Sequence, residues 1–128
     1  MAADNSVITD ELRKRLAQCV AGSINTISRV KYIAVGSGGA PGGTPTPPAG
    51  SATALEDEKG RYEVGSVEFP VDTTARFYIT IPEADLPGAS LSEMALVSED
   101  GVLYGIRHTT PKVKDSDEEF QLAFDLEF

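Results

Sequence analysis

A chain of 128 residues with 41% hydrophobic content is long enough for one domain with one core, and too apolar for wholesale disorder. Twenty acids against eleven Lys and Arg give a formal net charge of −9, which argues against partners such as a nucleic-acid backbone or an anionic membrane surface, since both call for a basic face. One cysteine excludes an intrachain disulfide, and one cysteine with one histidine is too small a set for a metal site built on those ligands.

Along the chain, residues 1–6 are polar, and residues 1–8 are expected to be a loose N-terminus. Thr9 is a helix cap, with Asp10 and Glu11 in a first turn where the helix dipole favours acids. Leu12, Leu16, Cys19 and Val20 recur at helical spacing, and Gly22 is a stop, which predicts an amphipathic helix over residues 9–22. Its apolar stripe is narrow, so the helix is expected to lie on a surface, with Cys19 a small buried hydrophobe. The basic-then-apolar pattern of a signal peptide is not seen in MAADNSVITDEL, and no run approaches the roughly 20 apolar residues of a membrane span.

VKYIAV, residues 30–35, reads as a strand. Residues 36–54 then hold six of the twelve glycines and four of the eight prolines, a composition that forms neither helix nor interior strand and predicts a long flexible loop or one that orders against a neighbour. Its GSGGAPGG lacks the following Gly-Lys-Ser/Thr and helix of a phosphate-binding loop. Residues 55–58 suggest a short helical turn.

Alternation of Tyr62 and Val64, then of Val67 and Phe69 on the opposite parity, predicts a bulged strand at Gly65-Ser66. Ala75, Phe77, Ile79 and Ile81 mark a half-buried strand ended by Pro82. In LSEMALVSEDGVLYGIRH, residues 91–108, two apolar runs flank a turn at Asp100-Gly101. A three-residue loop over 99–101 would place Val97 opposite Leu103, Leu96 opposite Tyr104 and Met94 opposite Ile106, all apolar pairs. Residues 109–118 read as a polar connection, and Phe120, Leu122, Phe124, Leu126 and Phe128 as one strongly burying face of a last strand. The expected fold is mainly β (α+β), an antiparallel sheet or small sandwich of about six strands, in a single domain over 1–128.

No catalytic set emerges, and no cofactor is expected. His108 has no nucleophile-elbow sequence to serve and reads as a surface residue at a strand end. The acidic stretches at 98–100 and 115–119 do not follow the spacing of a calcium loop and read as solvated turns. The contact-making features are instead the helix stripe, Leu12, Leu16 and Val20, and the Gly/Pro segment, with Gly36, Gly38, Pro41, Pro45 and Pro47.

The order of motifs resembles the N-terminal domain of phage tail-collar and tail-fibre proteins. VKYIAVGSG is similar to that family's apolar strand and glycine after an opening helix, and ALEDE to its leucine-acid step after a Gly/Pro/Thr-rich loop. LSEMALVSEDGVLYGIRH resembles its E-x-G-L-x-x-x-D-G-x-L hairpin, with Ala95 where a glycine is usual, and EEFQLAFDLEF its closing strand. The resemblance implies a non-enzymatic structural protein of a phage or phage-like particle, assembled in the bacterial cytoplasm. Because family members continue into a receptor-binding shaft and this chain ends with the domain, a baseplate or tail-tip piece, or an adaptor for fibres, is expected. Other tail proteins are the implied partners, and a homotrimer the implied assembly. The alternative is a β-domain binding module that recognises glycan or protein through its loops.

Overall fold

A computed structural model describes residues 5–128 as one α-helix and eight strands, with a short 3-10 turn at Pro41–Gly43. The strands are β1 (Ser6–Ile8), β2 (Val30–Gly36), β3 (Glu58–Glu63), β4 (Ser66–Val71), β5 (Thr74–Ile81), β6 (Ser90–Ser98), β7 (Leu103–Val113) and β8 (Phe120–Glu127); the helix is α1 (Asp10–Val20). They form two antiparallel sheets, ordered β1-β7-β6-β2-β3 and β4-β5-β8. The mainly β, α+β class expected from the pattern is the observed one, with eight strands rather than about six.

Period-two alternation makes one face of each sheet apolar, and those faces meet. Ile33, Val35 and Leu96 from the larger sheet share a core with Phe77, Ile79 and Phe124 from the smaller. The larger sheet is buried on its outer face as well. There Ala34, Ala95, Val97 and Ile106 pack with Leu55 and Ala52, so the Gly/Pro segment forms a third layer. This is why MALV is continuous rather than alternating: residues 91–98 of β6 are buried on both faces.

The helix begins where expected. The Thr9 side chain accepts from Leu12 N at 3.3 Å and donates to Leu103 O at 2.6 Å, which caps the helix and ties it to β7. The first part of its stripe faces inward, with Leu12 buried in the shared core and Leu16 packed against it, while Val20 at its end is exposed. Cys19 is half-buried. Residues 6–8, expected to be loose, pair with β7 as Ser6↔Arg107, Val7↔Ile106 and Ile8↔Gly105, while residues 1–4 of that stretch lie outside the described residues.

Other expectations are corrected. The parity switch at Gly65-Ser66 is not a bulge but the crossing of the chain from β3 in one sheet to β4 in the other. Residues 55–58 form no helix; Leu55 is buried on the outer face and β3 starts at Glu58. The connection read over 109–118 is strand up to Val113, because Ser90 and Leu91 extend β6 to pair with Val113 and Lys112. In β8 Phe124 and Leu126 are buried, but Phe120 and Leu122 only half, and Phe128 is exposed, as befits a sheet edge.

The hairpin loop falls on residues 99–101 as expected, with Gly101 at φ +90°, Ser98 N donating to Val102 O at 2.8 Å and Gly101 N to Ser98 O at 2.9 Å. Val97 pairs with Leu103, but Tyr104 is then an extra residue. Beyond it Leu96 faces Gly105 and Met94 faces Arg107, not Tyr104 and Ile106. The bulge gives Tyr104 its own partners: its carbonyl accepts from Thr9 N at 3.0 Å and its hydroxyl donates to Ser28 O at 2.7 Å.

Candidate assembly surface

The Gly/Pro segment is held by buried polar side chains that composition did not reveal. Glu93, 1% exposed in the middle of β6, accepts from three main-chain N–H groups: Gly38 at 2.9 Å, Glu56 at 3.0 Å and Asp57 at 2.8 Å. One carboxylate thus fastens both ends of the segment. Beside it, Ser92 Oγ donates to Gly38 O at 2.6 Å. His108, opposite Glu93 in the ladder, is buried rather than at the surface, with Nδ1 2.6 Å from Thr46 O. Gly39 lies against its ring at φ +78°, where a β-carbon would come within 2.5 Å of His108 Cδ2.

This arrangement rearranges the expected contact residues. Leu12 and Gly36 are buried within the protein's own body, Leu16 packs on the core, and Gly38 and Pro45 are half-buried. Only Val20, 89% exposed, and Pro41 and Pro47 at the outside of the loop remain available to another molecule.

The larger exposed apolar surface lies elsewhere, on β4. All six of its residues are exposed, and Val67, Phe69 and Val71 carry the apolar side chains, Phe69 at 69%. Val67 pairs with the core residue Phe77, so the sheet's apolar face continues onto β4 although the core stops at β5. Phe128, 64% exposed, adds to that end of the sheet, its N–H donating to Thr73 O at 2.9 Å in the β4 to β5 turn. The alternation of Val67 and Phe69 marks a strand without telling a central one from an edge one. The available signal for an edge is Pro70, which is confined to sheet edges because it cannot donate to a ladder.

The opposite face of the same sheet is polar. Arg76 Nε and Nη2 donate to Asp125 at 2.7 and 3.0 Å, and Arg76 also lies 3.5 Å from Glu68, which accepts from the Tyr78 hydroxyl. The guanidinium holds the Asp125 carboxyl below its usual range, and Glu68 pushes the Tyr78 hydroxyl up. Pro70 and a register shift between Glu68 and Val71 blunt the free edge of β4, so the strip presents a side-chain face rather than an open ladder.

Comparison with protein-family models and with curated proteins finds no match. Among the described residues no helix is long and apolar enough to cross a membrane, and no three His, Cys, Asp or Glu are grouped as a metal site.

Proposed function

We propose that this protein is a non-enzymatic structural piece of a phage or phage-like contractile tail, at the baseplate or tail tip or as an adaptor for fibres. The tail assignment rests on the resemblance in the order of four stretches, VKYIAVGSG, ALEDE, the hairpin and the closing strand. The observation that supports an assembly role is the exposed apolar side chains of β4, Val67 on the face of Phe77 and Phe69 and Val71 beyond the register shift. An apolar strip of this kind is a surface to be covered by another chain. The expected cover is further copies of the protein, arranged as a trimer.

Sedimentation of the purified protein tests the assembly. A trimer that Phe69→Glu converts to monomer supports it; a monomer unchanged by that substitution refutes self-association and favours the binding-module alternative. Gold-labelled antibody against the protein, applied to purified tail particles, tests the location: labelling at the baseplate or tip supports the reading, and unlabelled particles overturn it.

A further inference from the structure

A second surface, separate from the β4 strip, runs along the free edge of β8. This strand pairs only with β5, so its other edge is open among the described residues. Two hollows follow that edge in succession. One, of about 280 Å³, is lined by residues 120–123 of β8, and the other, of about 270 Å³, by residues 124–127. Lining by consecutive residues means that the main chain itself borders the groove, since alternate side chains of a strand point to opposite faces. The far wall belongs to the other sheet: Leu91, Met94 and Arg107 along the first hollow, and residues 6–8 of β1 along the second.

Three cations line the groove together with three carboxylates, Glu93, Asp125 and Glu127. Arg107 and Lys112 line the first hollow and Arg13 the second. Their side chains form no ion pair or hydrogen bond with a described residue, and Arg107 Nε is buried without a partner. An unsatisfied buried donor on an arginine costs more than an ordinary unmade hydrogen bond. The carboxylates nearby are committed elsewhere: Asp125, which feels the Arg107 charge, is held by Arg76, and Glu93 by three main-chain N–H groups on the outer face. Glu127 lies at the far end of the second hollow, exposed.

We infer that this groove binds an extended acidic segment of a partner protein, which adds as a strand to the free edge of β8 and places a carboxylate on Arg107. Strand addition uses the open main-chain donors and acceptors for affinity, and the side-chain pockets for selection. A carboxylate suits the site because a guanidinium binds it with parallel charge-assisted hydrogen bonds. Charge complementarity also selects against basic segments.

The test is fluorescence anisotropy with the full chain and a labelled peptide alternating glutamate and threonine, against its lysine and threonine counterpart. The acidic peptide is expected to bind at least about tenfold more tightly, and Arg107→Ala or Lys112→Glu to weaken it by about tenfold. Lys112 is exposed, so its substitution leaves the fold intact even where the Arg107 variant is unstable. Methylation of alternate peptide nitrogens is expected to abolish binding, and amide exchange in β8 to slow when the peptide is bound. Equal binding of both peptides, binding indifferent to nitrogen methylation or to both substitutions, or none at about 1 mM overturns the inference. Binding that arises only in a chain lacking residues 1–4 also overturns it, by making the protein's own N-terminus the occupant.

Discussion

Arg15 on the helix grips Asp100 at the tip of the hairpin, 85 residues away, with Nη1 3.2 Å from Oδ1 and Nη2 2.9 Å from Oδ2. The same guanidinium donates to the Tyr104 hydroxyl at 2.9 Å and lies 5.6 Å from its ring centroid. Ser98 also donates to Asp100, which closes the turn. A helix read from its cap and a hairpin read from its glycine are thus joined by a contact that neither local pattern contains.

This contact makes stability sensitive to acid. Arg15, and after it Ser98, holds the Asp100 carboxyl down to about 2 from its ordinary 3.8. A folded value below the unfolded one adds stability that is present above about pH 4 and is lost as pH falls through about 2. In urea unfolding measured across this range, the native protein is expected to exceed Asp100→Asn at neutral pH, and the difference to close on acidification. A difference independent of pH would refute the assignment.

Glu93→Ala removes the acceptor for three main-chain donors and leaves them without a partner. A loss of about 3–5 kcal/mol is expected, because hydrogen bonds to a charged group contribute most and the freed donors stay desolvated. Glu93→Gln keeps one amide oxygen as acceptor and is expected to cost about 1–3 kcal/mol. Denaturant unfolding gives both values. Native-state proteolysis within residues 36–54 is expected to accelerate in the alanine variant, since the carboxylate fastens both ends of that segment.

Gly39→Ala is expected to destabilise by about 2–4 kcal/mol, part from the left-handed backbone and part from the collision with His108. Removing the ring relieves only the second part. A double-mutant cycle with His108→Ala is therefore expected to show a favourable coupling of about 1 kcal/mol or more, and additive effects would rule out the contact.

Tyr62 is pushed up to about 12 from 10.0 by burial, with further help from Asp85, whose carboxylate accepts from its hydroxyl at 3.0 Å. A raised folded value means that the stabilisation is whole below about pH 10 and is lost as pH rises through about 12. Ultraviolet titration of the folded protein should show this late phenol ionisation, and Tyr62→Phe should reduce its amplitude by one phenol, the Tyr78 hydroxyl, also pushed up, remaining.

Much of this fold was legible because much of it is local. The cap at Thr9, the turn at Gly101 and the alternation of β5 depend on neighbours a few residues apart. The hairpin shows where that stops. The loop was legible in residues 99–101, but the next pairings were not, because Tyr104 leaves the ladder to reach Thr9 and Ser28. Sites were less legible still. Glu93 sits within SEMALV with no local sign that its carboxylate is buried, and its partners arrive from residues 38, 56 and 57.

Val67 with Phe69, and Phe124 with Leu126, carry the same alternating signature, yet the first pair is exposed and the second buried. Alternation in the sequence determined that each strand has an apolar face. Whether a second layer lies over that face depends on strand order, and strand order places β4 beyond the core. The Gly/Pro segment makes the same point in reverse: its composition dictates an irregular backbone, and distant buried side chains, Ser92, His108 and above all Glu93, 55 residues from Gly38, decide where that backbone lies. Sequence sets what each segment presents; the tertiary structure decides what covers it, because burial is a property of two surfaces and not of one.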